Sequence, residues 1–167
     1  MFKRGHQGAA LLLTAPLTAL FGVIGLFMTI AAFLTCRTPD LDLPEYRLGV
    51  LSHRGWTHTI WFAVIVAAVA FIVGAGLAFP IVGIEGWVVG AVVALAAYLG
   101  VLSHLFADAL TKGRGKHAIR PLYPLSASPM RLGLISSGSR VWNTAFFVLG
   151  LLTQIVALIY WYSSSLL

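Results

Sequence analysis

The sequence predicts an all-α protein of the inner or plasma membrane, a polytopic helical bundle in which a re-entrant helical hairpin precedes three transmembrane helices. Apolar residues make up 59% of the 167 residues, and charged residues only 10%. The mean hydropathy of +0.93 lies far above that of a soluble globular domain. Several apolar runs approach or exceed the roughly 18–20 residues that cross a bilayer. This length suits a single membrane domain over residues 1–167.

The first apolar run, residues 8–36, is either one long helix or a hairpin that is broken near residues 21–25. The positive charges favour the hairpin, because it places all eleven Lys and Arg residues on one side of the membrane. By the positive-inside rule that side is the cytoplasm, and Glu85 is then the only charge outside. Each arm of about 14 residues rises only about 21 Å, so the hairpin is expected to be re-entrant.

Three later apolar runs are predicted to cross the membrane, at residues 56–78, 87–110 and 142–162. Four tryptophans lie at the ends of these runs, namely Trp56, Trp87, Trp142 and Trp161. Such positions are typical of aromatic side chains, whose amphipathic rings settle at the level of the headgroups. Residues 37–55 and 111–141 are then loops on the cytoplasmic side.

The net charge of +6 raises the question of a nucleic-acid partner. In a membrane protein, basic loops reflect topology and contact with anionic headgroups, so we expect no nucleic-acid binding. Membrane lipid is the expected environment and a candidate substrate, and the sequence indicates no protein partner. The single cysteine, Cys36, excludes an intramolecular disulfide and is expected to be buried as an apolar residue.

The few acids and histidines crowd into short segments beside the apolar runs, which suggests one metal site at the edge of the membrane. His104 and Asp108 are four residues apart. Four residues turn a helix by about 400°, so both side chains leave the same face. An imidazole and a carboxylate so placed can bind one metal ion. The alternative is a helix end that is capped by a histidine–aspartate hydrogen bond.

Asp40 and Asp42 follow Pro39, which disfavours helical backbone at the residue before it. In an extended segment, residues i and i+2 point the same way, so both carboxylates can face one cation. An N-cap or an Asx-turn is the alternative, and it explains one aspartate better than two.

His53 and His58 are five residues apart, and Gly55 permits a bend between them. His58 is predicted to lie in the first turn of a span, where an ionisable side chain is costly and therefore indicates a functional site. His53 is a candidate catalytic residue whose role stays open between metal ligand, support of a ligand and acid–base catalysis. Arg54 is a candidate for stabilising negative charge and for binding substrate, and Arg120 is a second candidate for substrate binding.

Four segments together resemble the YdjM-like family, whose members are described as membrane-bound metal-dependent hydrolases. The segments are residues 5–6, 39–42, 53–58 and 100–111. The specific elements are HRGxTH followed by SHxxxD, and the resemblance covers about residues 5–126. It implies a hydrolase that takes divalent metal at these positions.

The order of the ligands is also similar to that of zinc-dependent phospholipases C. The residues that this resemblance assigns to one metal are Asp40 or Asp42, His58, His104 and Asp108. It implies a second metal between His6 and Asp108. The later HxxxHxxxE-type ligands of those phospholipases find no match in the sequence, so a third metal is not expected.

The sequence therefore predicts a metal-dependent hydrolase that attacks a phosphoester of a phospholipid or another amphiphile through a metal-activated water. One or two zinc ions are expected, and manganese is the alternative because carboxylate-rich bridging admits it. A non-enzymatic membrane adaptor with a structural metal site is the main alternative. A transporter is less favoured, because transporters place polar groups near the bilayer midplane, where these spans lack ionisable residues.

Overall fold

The computed structural model describes residues 1–42, 54–112 and 118–166. These ranges contain five α-helices: α1 Lys3–Phe21, α2 Val23–Thr35, α3 Ile60–Val82, α4 Gly86–Ala109 and α5 Arg140–Ser164. No β-strand occurs within the same ranges, so the predicted all-α bundle is confirmed. The stretches that are long and apolar enough to cross a membrane are Val23–Asp42, Ile60–Ala109 and Arg140–Ser164.

The N-terminal apolar run folds as a hairpin rather than as one long helix. Gly22 separates α1 from α2 and has a φ of +56°, in the region that glycine adopts without steric cost. Gly25 packs so closely on the backbone of Leu17 that a Cβ atom there would collide with it. Glycine at these two positions therefore permits the tight turn between the arms.

The two arms of the hairpin differ in length, whereas the sequence predicted two arms of equal length. α1 has 19 residues because the helix already begins at Lys3, and α2 has 13 residues. At about 1.5 Å per residue these lengths correspond to roughly 28 and 20 Å. α1 runs parallel to α5, with Gly5 against Asn143 at one end and Gly22 against Trp161 at the other. The bend thus lies near the far end of α5, and its re-entrant course stays a prediction.

α4 lies near the centre of the bundle, where it packs against α1, α2 and α3, while α5 packs on α1. The starts of α1, α3 and α5 and the ends of α2 and α4 meet at one end of the bundle, as the side-chain contacts described below show. All the acids and histidines that the sequence singled out, as far as the structure describes them, gather at this end.

α3 begins four residues later than the predicted span. Thr59 has extended backbone, with φ −116° and ψ 160°, and its hydroxyl accepts a hydrogen bond from the backbone N–H of Phe62. This is the geometry of a helix N-cap, so the helix starts at Ile60. His58 therefore lies in a 3₁₀ turn, Trp56–His58, before the helix and not in its first turn.

The chain after α4 folds back against the end of that helix. Ile119 is 1% exposed and packs with Leu105 and Ala109 of α4. The backbone N–H of Leu132 donates to the carbonyl of Ala109 at 2.6 Å. Carbonyls at a helix C-terminus lack partners within the helix, so this contact satisfies one of them. The end of α4 that carries His104 and Asp108 is thereby held in place.

A polar network crosses the apolar interior and ties the hairpin to α5. The side-chain amide nitrogen of Gln154 donates to the carbonyl of Leu11 at 2.8 Å, and its oxygen accepts from the Thr18 hydroxyl at 2.7 Å. Thr29 of α2 lies 3.2 Å from the same Thr18 oxygen. Paired polar groups of this kind hold helices together where apolar surface faces lipid on the outside.

Candidate metal centre

His104 is fully buried on α4, and one of its ring nitrogens is anchored to α2. Its Nδ1 lies 2.8 Å from the backbone carbonyl oxygen of Cys36. A carbonyl oxygen only accepts, so Nδ1 carries the proton and Nε2 presents a lone pair. Cys36 is itself 0% exposed, which confirms that it is buried. Its carbonyl holds His104 in the orientation that a metal ligand needs.

His58 faces His104 across the interior. The Nε2 atoms of the two rings lie 3.2 Å apart. The Nδ1 atom of His58 lies 3.3 Å from Oδ2 of Asp42, so the proton belongs on that side of the ring. Two nitrogens that bind one tetrahedral zinc ion at about 2.0–2.1 Å lie roughly 3.3 Å apart. The 3.2 Å between the two Nε2 atoms therefore suits two ligands of one ion.

Asp108 presents its two carboxylate oxygens to different histidines. Its Oδ2 lies 3.7 Å from Nε2 of His58 and 3.9 Å from Nε2 of His104. Its Oδ1 lies 3.6 Å from Nε2 of His6. The ligand atoms of His58, His104 and Asp108 all lie within 4.8 Å of one another. Asp108 is thus placed as a carboxylate that can bridge two ions.

His6 and Asp40 extend the same cluster. The ring of His6 stacks on that of His104, with centroids 3.6 Å apart and planes inclined by 7°. Nδ1 of His6 is buried and finds no hydrogen-bond partner among the described residues. Asp40 Oδ1 lies 3.7 Å from Nε2 of His104. The ligand atoms of His6, Asp40 and His104 all lie within 4.8 Å of one another. Because His104 belongs both to this set and to the set with His58 and Asp108, the five residues form one cluster.

Asp40 and Asp42 do not face one point, as an extended segment would require. They lie in a 3₁₀ turn, Thr38–Asp42, so their side chains diverge. Asp40 points towards the ligand side of His104, whereas Asp42 lies behind His58. Oδ2 of Asp42 also accepts from the Thr57 hydroxyl at 2.6 Å and from the backbone N–H of Arg54 at 3.0 Å. In the structure Asp42 therefore supports His58 from behind.

Arg54 reaches the cluster, whereas Arg120 does not. Nη2 of Arg54 lies 3.2 Å from Oδ2 of Asp108, and the side chain is 9% exposed. The amino group of Met1 lies 2.7 Å from the other oxygen of Asp108. Arg120 is exposed, and among the described residues no contact joins its side chain to the cluster. His53 lies outside the described residues, so its predicted catalytic role stays a prediction.

Two groups that orient the ligands, the Thr57 hydroxyl and the Cys36 carbonyl, were not predicted from the sequence. Thr57 was visible only as the threonine of the HRGxTH element, and its hydroxyl lies 3.1 Å from Nδ1 of His58 as well as on Asp42. The Cys36 carbonyl leaves no trace in the sequence, because any residue supplies the same atom. Only the packing of α2 against α4 reveals it.

Comparison with known proteins identifies the family. The model of a family described as YdjM inner membrane protein matches residues 1–166. The chain belongs to the YdjM inner membrane protein family. The resemblance drawn from the sequence segments is thereby confirmed, as is a location in the inner membrane. The family name states a location and no reaction, so the chemistry of this YdjM-family protein must be argued from its cluster.

Curated relatives match part of the chain. The inner membrane protein YdjM of Escherichia coli (strain K12) and that of Shigella flexneri are each 34% identical over 93 residues. The match covers 48% of this chain and 43% of the relative in both cases. The match thus spans less than half the length of these YdjM proteins. No solved structure matches the chain.

Proposed function

We propose that this YdjM-family protein is a metal-dependent hydrolase embedded in the membrane, which cleaves a phosphoester of a phospholipid or another amphiphile. The observation that carries the proposal is the pair of buried Nε2 atoms 3.2 Å apart, on His58 and His104. The opposite nitrogen of each ring meets an oxygen acceptor. Imidazoles held in this way are typical of metal ligands, because the second hydrogen bond sets the tautomer and the orientation of the ring.

The donor set fits zinc, and manganese is the second choice. Histidine nitrogens and carboxylate oxygens are ligands that zinc accepts, whereas a carboxylate that bridges two ions also suits manganese. His58, His104 and Oδ2 of Asp108 are proposed to hold one ion. The proton on Nδ1 of His104 leaves that ring a single lone pair, so it serves one ion. A second ion would take His6, Asp40 and the other oxygen of Asp108.

The metal ion and the surrounding side chains are proposed to have different roles in the reaction. A divalent ion at these atoms would acidify a water molecule and polarise a phosphoryl oxygen. Arg54 places a positive charge next to Asp108, where it suits the negative charge that develops on a phosphoester in the transition state. Asp42 keeps the lone pair of His58 directed at the cluster. Burial of these groups strengthens each electrostatic interaction because bulk water is excluded.

The position of the cluster is the argument for an amphiphilic substrate. His104 and Asp108 lie in the last two turns of α4, and His58 lies two residues before α3 begins. Both helices belong to the apolar stretch Ile60–Ala109, which is long enough to cross a membrane. Ends of spans lie near the headgroups, where a lipid phosphoester is also found. The depth of the cluster therefore supports a phospholipid or another amphiphile as the substrate.

A non-enzymatic adaptor with a structural metal is the second candidate, and the observation that favours it is burial. His6, His58 and His104 are 1%, 0% and 0% exposed. Structural zinc sites are closed by protein ligands, whereas catalytic sites keep one position open. The two candidates differ in what removal of the metal changes. A hydrolase loses turnover, and an adaptor loses stability or its partner.

The experiment that tests the proposal is a hydrolysis assay on the full chain, purified in detergent without chelators. Phospholipids, a chromogenic phosphodiester and a chromogenic phosphomonoester serve as substrates. We expect hydrolysis that stops on chelation and returns when zinc or manganese is added. The proposal is contradicted if folded, metal-loaded protein hydrolyses none of these substrates while chelation lowers its melting temperature. The supported function is then that of an adaptor with a structural metal.

Replacement of Asp42 by Asn is expected to weaken metal binding without abolishing it. The amide keeps the shape of the side chain but removes the charge that orients His58, and loss of such a supporting carboxylate typically costs about 10–100-fold in metal affinity. Competition with a chromophoric chelator measures the change. Glu85→Gln is the matched control, because Glu85 lies in the turn between α3 and α4 at the other end of the bundle. Complete loss of metal in Asp42→Asn would instead make Asp42 a direct ligand.

A further inference from the structure

A basic cavity of about 540 Å³ lies between the first turns of α1 and α5. Among the described residues that line it, three carry cationic side chains and none is acidic. The lining residues are Phe2, Lys3, Arg4, Arg140, Asn143 and Thr144. Neither the metal cluster nor the proposed hydrolysis uses any of these side chains.

Asn143 builds this cavity by fastening the N-terminal segment to α5. It is 3% exposed, and its side-chain oxygen accepts from the backbone N–H of Phe2 at 2.8 Å. Its amide nitrogen donates to the carbonyls of Ser137 and Ser139 at 3.1 and 2.7 Å. This buried side chain thus links the segment before α1 to the start of α5. The link holds the cationic residues of both helix starts beside one cavity.

The backbone adds to the positive charge of the side chains. Lys3 is the first residue of α1 and Arg140 the first of α5, and both helices are long, with 19 and 25 residues. The start of each helix carries the equivalent of roughly half a positive charge, which favours an anion. Arginine in addition offers a planar fork of N–H donors that matches phosphate oxygens. The cavity therefore combines the features of a phosphate site.

We propose that this cavity binds the headgroup of an anionic phospholipid. A lipid is favoured over a soluble anion by the apolar surface around the cavity, where Phe2, Val141 and Trp142 are 52%, 76% and 47% exposed. Exposed aromatic and aliphatic side chains beside cations are typical of the membrane interface. Basic pockets between membrane helices bind anionic headgroups by the same attraction. The α5 stretch Arg140–Ser164 is long enough to cross the membrane and would place the cavity at its surface.

The lipid site lies close to the metal cluster but does not depend on it. Lys3 and His6 are one turn apart on α1, and the ring of His6 stacks on that of His104. A lipid held by Lys3 therefore has its headgroup next to the cluster. The proposed lipid site does not require a catalytic cluster, because the described residues that line it belong to α1, to α5 and to Phe2 before α1.

Lipid binding to the full chain in detergent, counted by native mass spectrometry, tests the proposal. Phosphatidylglycerol and phosphatidylcholine with the same acyl chains are titrated separately. We expect wild type to prefer phosphatidylglycerol at least about tenfold, since the cations of the cavity attract the negative headgroup together. Lys3→Gln/Arg140→Gln is expected to lose this preference while its metal content and melting temperature stay unchanged.

The matched control is Lys112→Gln/Arg131→Gln, which removes one lysine and one arginine from exposed positions outside the cavity. It is expected to keep the preference for phosphatidylglycerol. An equal loss in the control pair would assign the effect to general surface charge and overturn the proposal. Displacement of the lipid by inorganic phosphate at equal concentration would make the cavity a site for soluble phosphate, which also overturns it.

Discussion

The Asp108→Asn variant is expected to lose its metal and, with it, hydrolysis. Oδ1 of Asp108 faces His6 and Oδ2 faces His58 and His104, so a single change removes a ligand from both proposed ions. We expect activity to fall by about 10³-fold or more, equivalent to about 4 kcal/mol of transition-state stabilisation. Elemental mass spectrometry of protein purified without chelators measures the metal. Wild type is expected to hold one or two equivalents of zinc or manganese.

The fold of this variant must be checked, because Asp108 also faces two cations. It lies 2.7 Å from the amino group of Met1 and 3.2 Å from Nη2 of Arg54. Removal of one partner from a buried ion pair costs about 3–5 kcal/mol, so the variant is expected to melt earlier. His104→Gln is the companion variant, since it removes a ligand and leaves no charge unpaired. Glu85→Gln is the control for an acid-to-amide change.

Metal analysis of the same proteins decides between a metal site and a purely structural cluster. Loss of metal in Asp108→Asn and His104→Gln, with helical content retained and Glu85→Gln unchanged, supports the site. Wild type that is folded and stays metal-free even after loading with zinc and manganese would contradict it. The histidine–aspartate contacts would then be ordinary hydrogen bonds at the end of α4.

Local spacing along the chain was enough to predict part of this cluster. His104 and Asp108 are one helical turn apart, so any helix through them places both side chains on one face. The contact of His6 with His104 is different, because 98 positions separate them. It depends on the hairpin, which returns the chain to the end at which it began. Apart from the family resemblance, the signal for it was the distribution of positive charge, which favours the hairpin over a single span.

Short segments without periodicity were the least predictable. Pro39 restricts the residue before it but permits either an extended strand or a 3₁₀ turn after it. The turn that forms separates Asp40 from Asp42, and only the fold decides which carboxylate lies near the Nε2 atoms of the histidines. The first residue of α3 was equally hard to predict from the sequence. Trp56 indicated the membrane surface, whereas the capping hydroxyl of Thr59 determines where the helix begins.

Arg54→Gln is expected to lower hydrolysis by about 10²–10³-fold while the metal content stays at the wild-type level. Loss of one preorganised donor to developing negative charge typically has an effect of this size. Nη2 of Arg54 lies 3.2 Å from Oδ2 of Asp108, next to the proposed ligands, yet arginine does not itself ligate metal. Turnover on the chromogenic phosphodiester and elemental analysis of the same sample provide the two readouts.

Arg54→Lys and Arg131→Gln complete the test of Arg54. The backbone at position 54 has a φ of 62°, and Gln and Lys meet the same steric cost there, so the two variants differ in side-chain chemistry alone. Lysine keeps the charge without the fork of donors and is expected to recover only part of the activity. Arg131 is exposed in the loop before α5, and its replacement is expected to leave turnover unchanged.

Equal turnover in Arg54→Gln and wild type would remove Arg54 from the mechanism. Loss of metal in Arg54→Gln would show instead that this arginine holds Asp108 in place through its ion pair with Oδ2.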